Sequence, residues 1–186
     1  VNAVMKSAPA LIFGNSMIYK PSELTPSSAL VLAEIYEDAG LPKGVFQVLL
    51  GSGEDVGKLL IHEYSSFLSS SSTCRHNNTH GKISFTGSVT TGHNILSNSS
   101  SSSSILHKVN LELGGKSPLI IMNNCNLNNA ISKTIQANWY SNGQVCSNGT
   151  RVYVHESIYD EFISKLIVET EKLNIGNPND MNVDIG

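Results

Sequence analysis

Short apolar runs alternate with helical periodicities along the first part of this chain, and glycine or proline marks the turns between them. Ser16 to Lys20 reads as a strand, and Pro21 bars its continuation as an inner strand. Thr25 and Pro26 then read as an N-cap and a first helical position. Ala29, Leu32, Ala33 and Tyr36 recur at helical spacing until Gly40. Val45 to Leu50 is a second strand, followed by Gly51, Gly53 and Gly57 and a helix over Val56 to Ile61. Ile83 to Thr86 is a third strand, a helix opens across Gly87 to Gly92, and Val109 to Leu113 is a fourth strand. Strands that alternate with helices pair in parallel, and a parallel sheet needs both faces covered. The expected class is α/β with a doubly wound parallel sheet.

Beyond Gly114-Gly115 the pattern changes, so a domain boundary is expected there, dividing residues 1–113 from 114–186. Pro118 to Met122 reads as a strand, Leu127 to Tyr140 as an amphipathic helix ended by Asn142-Gly143-Gln144, and Thr150 to Val154 as a strand. Tyr159, Phe162, Ile163, Leu166 and Ile167 mark a last helix, with Ser157 as its N-cap. Two stretches lack the apolar residues a core needs. Ser65 to His80 reads as an inserted polar segment and Asn98 to Ser104 as a serine tract, and both are expected to be mobile surface loops.

Charge and cysteine usage narrow the function classes. A formal net charge of −3 gives no case for binding nucleic acid or an anionic membrane. No apolar run approaches the ~20 residues of a membrane span. Three cysteines without paired spacing fit a reducing, cytoplasmic compartment better than a disulfide scaffold. The six histidines form no metal-ligand spacing, so no metal site is expected. Both ends read as cut from a longer chain.

Four places could carry chemistry. Cys146 lies in a polar, glycine-flanked loop, where a thiol is approachable; it reads either as an inert loop cysteine or as a nucleophile. Glu112 interrupts the apolar strand Val109 to Leu113. It is either the exposed residue of a half-exposed strand or a partly buried carboxylate suited to general-base work. The turns at Gly51-Ser52-Gly53 and Gly87 to Gly92 follow strands and open helices. They are plain turn glycines or places where amides meet a phosphate. Lys20 and Glu23 flank a turn at the end of the first strand, where open α/β sheets bind ligands; a solvated ion pair is the simpler reading.

With these residues in place, the chain resembles the aldehyde dehydrogenase superfamily. The matching segments are Ala8-Pro9-Ala10-Leu11 with Gly14-Asn15, Lys20 to Pro26, Phe85-Thr86-Gly87-Ser88, Leu111 to Pro118, and Gly143-Gln144-Val145-Cys146. Gln144 to Arg151 and Ser117 to Ile121 most resemble the betaine aldehyde and 4-trimethylaminobutyraldehyde branch. The resemblance implies a dinucleotide-binding domain followed by the first part of an α/β catalytic domain, with NAD as cofactor.

It also implies roles. Cys146 attacks the aldehyde carbon, its backbone N–H helps hold the oxyanion, and Glu112 activates the water that hydrolyses the thioester. Lys20 and Glu23 hold the adenine ribose, Gly51 and Gly53 line the adenine side, Gly87 and Ser88 hold the pyrophosphate, and Leu113 contacts the nicotinamide side. The partner is a small aldehyde, and the longer enzyme is a homo-oligomer. The family's oxyanion-hole Asn belongs to a segment expected before Val1, and the second half of its catalytic domain to one beyond Gly186. Between His62 and Lys82 the family has a short link, so residues 65–80 look like an insertion. A dinucleotide-binding fragment without turnover, or an enzyme for another aldehyde such as succinic semialdehyde, remains an alternative.

Overall fold

The computed structural model describes residues 2–62, 81–101 and 108–186. The polar segment expected as a loop at 65–80 lies outside the described residues, as do residues 102–104 of the serine tract. The chain divides into two compact units, the first running to Thr86 with Thr90–Glu112 and the second holding Gly87–Val89 with Leu113–Gly186.

In the first unit, helix α1 (Asn2–Ile12) precedes β1 (Met17–Tyr19), α2 (Ser27–Asp38) and β2 (Phe46–Val48). A single π-helical turn, Gly53–Gly57, follows. Then come β3 (Lys82–Thr86), α3 (Val89–Ser101) and β4 (Lys108–Glu112). β1 pairs in parallel with β2 from Met17 opposite Phe46 to Tyr19 opposite Val48. β3 pairs in parallel with β4 from Lys82 opposite Lys108 to Thr86 opposite Glu112. The second unit repeats the scheme with β5 (Pro118–Ile121), α4 (Leu127–Trp139), β6 (Arg151–Val154) and α5 (Tyr159–Thr170). There Pro118 stands opposite Arg151 and Ile121 opposite Val154.

Parallel α/β architecture is thus present as three strand–helix–strand units. Among the described residues each ladder joins two strands. Alternation dictates pairing across one crossover helix, because that contact is local. Sheet breadth depends on neighbours distant in sequence, which strand periodicity does not encode.

The first unit is organised around a chain of aromatic and hydroxyl contacts. Phe46 stacks on Tyr19 at 6.3 Å and meets the edge of Tyr36 at 5.1 Å, joining β1, β2 and α2. The Tyr36 hydroxyl lies 2.8 Å from the Oγ of fully buried Ser7, which donates to the Ala3 carbonyl at 2.7 Å. This ties α1 to α2. Helix α1 was not expected, because Pro9 lies inside it.

Helix ends differ from expectation by a residue or two. The Pro26 carbonyl, with no side-chain cap from Thr25, accepts from Ala29 at 3.0 Å and starts α2. Gly40, at φ +89°, closes α2; Leu41 N–H reaches back to the Tyr36 carbonyl at 2.9 Å. Helix α3 continues through Ser101, so residues 98–101 are helical where a loop was expected; Asn98 Nδ2 donates to the Asn94 carbonyl at 2.8 Å. Serine is only mildly unfavourable in a helix, so the tract does not force a stop.

The second unit has the clearer core. Phe162 is fully buried and packs with Ile121 and Ile131, surrounded by Leu119, Ala130, Ile135, Val154, Ile163 and Leu166. Asn126 caps α4 by accepting from the Asn129 N–H at 3.0 Å. The turn before α5 is capped by His155, which accepts from the Ser157 N–H at 3.2 Å, and not by Ser157. No described helix is long and apolar enough to cross a membrane. Removing the Phe162 ring leaves a cavity at the centre of this core. Phe162→Ala is expected to cost about 3–5 kcal/mol, checked by the urea midpoint at constant m-value.

Candidate active site

Two sets of predicted site residues are built, one in each unit. In the first, the parallel pairing of β1 and β2 makes both strands end at one edge. Lys20 leaves β1 there, and Gly51 lies just beyond β2. The Lys20 ammonium donates to the carbonyls of Pro21 at 2.7 Å and Gly51 at 3.0 Å, and stands 4.0 Å from the Glu23 carboxylate. Its side chain is 20% exposed and that of Glu23 52%, so the cation is held from behind and the acid faces outward. Together they offer donors and an acceptor to adjacent hydroxyls.

The turn beyond is tight. Gly51 has φ +144°, and a Cβ there would collide with the Val56 side chain. The Ser52 hydroxyl accepts from the Asp55 N–H at 3.0 Å and donates to the Asp55 carboxylate at 2.8 Å, fixing the start of the π-helical turn. A Cβ on Gly53 would meet nothing within 4 Å, which leaves that backbone approachable.

Gly87 and Ser88 form the exposed turn between β3 and α3. Glu112 is the last residue of β4. Val109 and Leu111 turn inward and Glu112 outward, where it accepts from Asn110 Nδ2 at 3.3 Å. Glu112 is thus the exposed residue at the end of a half-exposed strand. Leu113, half-buried, follows it as the first residue of the second unit's main segment.

One charged residue near Glu112 escaped the sequence reading. Burial holds the Lys6 ammonium below the usual lysine range; the Glu112 charge opposes the shift and Lys82 reinforces it. Its signal was a single lysine within Val4-Met5-Lys6-Ser7-Ala8, a stretch not recognised as helical.

In the second unit, Cys146 occupies the turn between α4 and β6, closed by Asn148 N–H to the Val145 carbonyl at 3.1 Å. Its thiol is free and exposed. On the upstream side, Ser141, Asn142 and Gly143 all have positive φ, at 53°, 55° and 71°. Left-handed backbone is rare for the first two and reverses the chain within one turn. On the downstream side, buried Asn148 donates through Nδ2 to the Asn138 carbonyl at 3.4 Å, and Gly149 N–H to the Ala137 carbonyl at 3.3 Å. The final carbonyls of α4 thus hold the loop. Asn148 ties the loop to α4; the sequence showed it only as a polar neighbour of the thiol. Among the described residues no three His, Cys, Asp or Glu side chains gather as metal ligands.

Comparison with known proteins adds a third observation. The model of the aldehyde dehydrogenase family matches residues 1–186. A betaine aldehyde dehydrogenase of Mesorhizobium japonicum is 46% identical over 97% of this chain and 34% of its own length. One of Brucella ovis is 47% identical over 99% of this chain and 34% of its own length. A crystal structure of Staphylococcus aureus betaine aldehyde dehydrogenase in complex with NAD+ superposes with a TM-score of 0.84 at 34% identity, covering 99% of this chain and 33% of that one. This chain spans about a third of the length of the curated relatives it matches.

The exposures of the two described cysteines differ. Cys146 is exposed, while Cys125 is packed against the Phe162 core. Iodoacetamide should label Cys146 first, followed site by site with peptide mass spectrometry; equal rates would count against an accessible loop thiol.

Proposed function

This chain belongs to the aldehyde dehydrogenase family, and from that premise we propose that it is part of a longer cytoplasmic enzyme that oxidises an aldehyde to a carboxylic acid with NAD. The substrate class we propose is an aminoaldehyde or betaine aldehyde, supported by the identity to betaine aldehyde dehydrogenases. We propose a doubly wound dinucleotide-binding domain over residues 1–113 and the start of a catalytic domain over 114–186, acting in a homo-oligomer. The observation that carries the proposal is the exposed free cysteine Cys146 in a loop whose downstream side is bonded to the end of α4.

The chemistry of these residues suits the cofactor. The Lys20 ammonium and Glu23 carboxylate suit ribose hydroxyls, and the turn at Gly51 and Gly53, where neither glycine presents a side chain, suits the adenine side. Gly87 and Ser88 open α3 where a pyrophosphate would meet helix amides, and Leu113 would offer its backbone to the nicotinamide side. NAD, when bound, supplies the acceptor for the hydride.

Within this scheme the Cys146 thiolate adds to the aldehyde carbon, forming a C–S bond and an oxyanion. The Cys146 backbone N–H is one donor to that oxyanion; such donors act where charge develops. Loss of hydride leaves a thioester. Glu112 then takes a proton from water, hydroxide adds to the thioester carbon, and the thiolate departs as the carboxylate product forms. The outward, solvent-facing position of Glu112 suits a group that draws on water.

Two experiments on the full-length enzyme test this. Cys146→Ser should abolish aldehyde oxidation. Glu112→Gln should keep a burst of NADH while steady turnover falls roughly 10²–10⁴-fold; retained turnover in either variant removes the corresponding role. Glu23→Gln tests the ribose assignment. A 2′-phosphate carries about −1.5 to −2 charges and is repelled by Glu23, so wild type should favour NAD over NADP. The variant should narrow that ratio of kcat/KM values mainly through NADP binding.

A further inference from the structure

Gly114 and Gly115 follow one another, and neither has the left-handed φ that demands glycine. Their surroundings differ. A Cβ built on Gly114 meets nothing within 4 Å, whereas one built on Gly115 falls onto the carbonyl oxygen of Cys146. The same Cβ would lie 3.5 Å from the Cys146 carbonyl carbon and 3.8 Å from Ser117 Oγ. The backbone of Gly115 and the peptide after Cys146 are therefore in direct apposition.

The register of the second unit accounts for this. Pro118 stands opposite Arg151, and Arg151 N–H donates to the Ser117 carbonyl at 3.3 Å. The residues entering β5 and those entering β6 are brought side by side. The Cys146 loop has little freedom to withdraw. Asn148 and Gly149 are buried and bonded to the last carbonyls of α4, and a Cβ on Gly149 would stand 3.0 Å from Leu119 Cβ.

We infer that Gly115 is a positioning residue for the Cys146 thiol: its missing side chain lets the Cys146 peptide rest on the Gly115 backbone, and that contact sets where the thiol stands. This rests on the nucleophile assignment proposed above. A methyl group at 115 pushes the Cys146 peptide away by on the order of 1 Å to restore a contact of ~3.5 Å. The displacement falls on Cys146 because Asn148 and Gly149 downstream are held to α4 and Leu119. Misplacement of a reacting group by that much costs roughly 10²-fold in rate.

The test compares Gly115→Ala with Gly114→Ala in the full-length enzyme. Four quantities are read: kcat, KM for the aldehyde, NAD affinity by fluorescence titration, and the rate of Cys146 alkylation by iodoacetamide. Gly115→Ala should lower kcat by roughly 10²-fold and change the alkylation rate, with NAD affinity kept. Gly114→Ala should match wild type in all four. Wild-type kcat and alkylation in Gly115→Ala would overturn the inference. So would equal losses, of activity or of soluble protein, in both variants. Insoluble Gly115→Ala beside soluble Gly114→Ala would also overturn it, since the glycine would then be a folding requirement. Cys146→Ser, run alongside, separates the two claims. Activity surviving there removes the nucleophile and this inference with it, whereas an inactive Cys146→Ser beside a normal Gly115→Ala removes the positioning role alone.

Discussion

Parallel strand pairing is the constraint from which the rest follows. In a parallel pair both strands begin at one edge and end at the other, so the residues flanking corresponding ends are brought together however far apart they lie in sequence. At the closing edge of β1 and β2 this joins Lys20 to the Gly51 carbonyl across 31 residues. At the opening edge of β5 and β6 it sets Gly115 against Cys146. The first unit uses the ends of its strands and the second their beginnings. One rule of pairing thus produces a charged, hydrogen-bonded cradle in one unit and a backbone-to-backbone contact under a thiol in the other.

The two sites are held by different physical means. Lys20 is fixed by carbonyl oxygens, so its charge is oriented before any ligand arrives, and little side-chain freedom is left to lose on binding. Among the described residues Cys146 has no such bond through its side chain, and its position is inherited from the backbone. Asn148, Gly149 and Gly115 act on the peptide groups around it.

Much of this was legible from residue types. The strands announced themselves as short apolar runs, and the Cys146 loop by the polar residues around a thiol. What escaped depended on contacts outside the local pattern. Pro9 hid α1, and with it Lys6, whose lowered pKa comes from burial that no spacing reveals. The outward direction of Glu112 followed from Val109 and Leu111 taking the inward positions, a choice that a five-residue alternation leaves open between its two faces. Ser157 looked like a cap by residue type, but it is His155, two residues earlier, that accepts an N–H there, from Ser157 itself.

The run of positive φ angles at Ser141, Asn142 and Gly143 carries a consequence for how this segment can change. The chain leaves α4, reverses within three residues, and must meet fixed anchors at Asn148 and Arg151. Side chains can vary there wherever the backbone angles remain tolerable. The number of residues cannot, because one added or removed peptide would shift Cys146 past its seat by ~3.3–3.6 Å, the reach of one extended residue. Apart from Cys146, Asn148 and Gly149, the segment from Trp139 to Arg151 is therefore more open to substitution than to insertion or deletion.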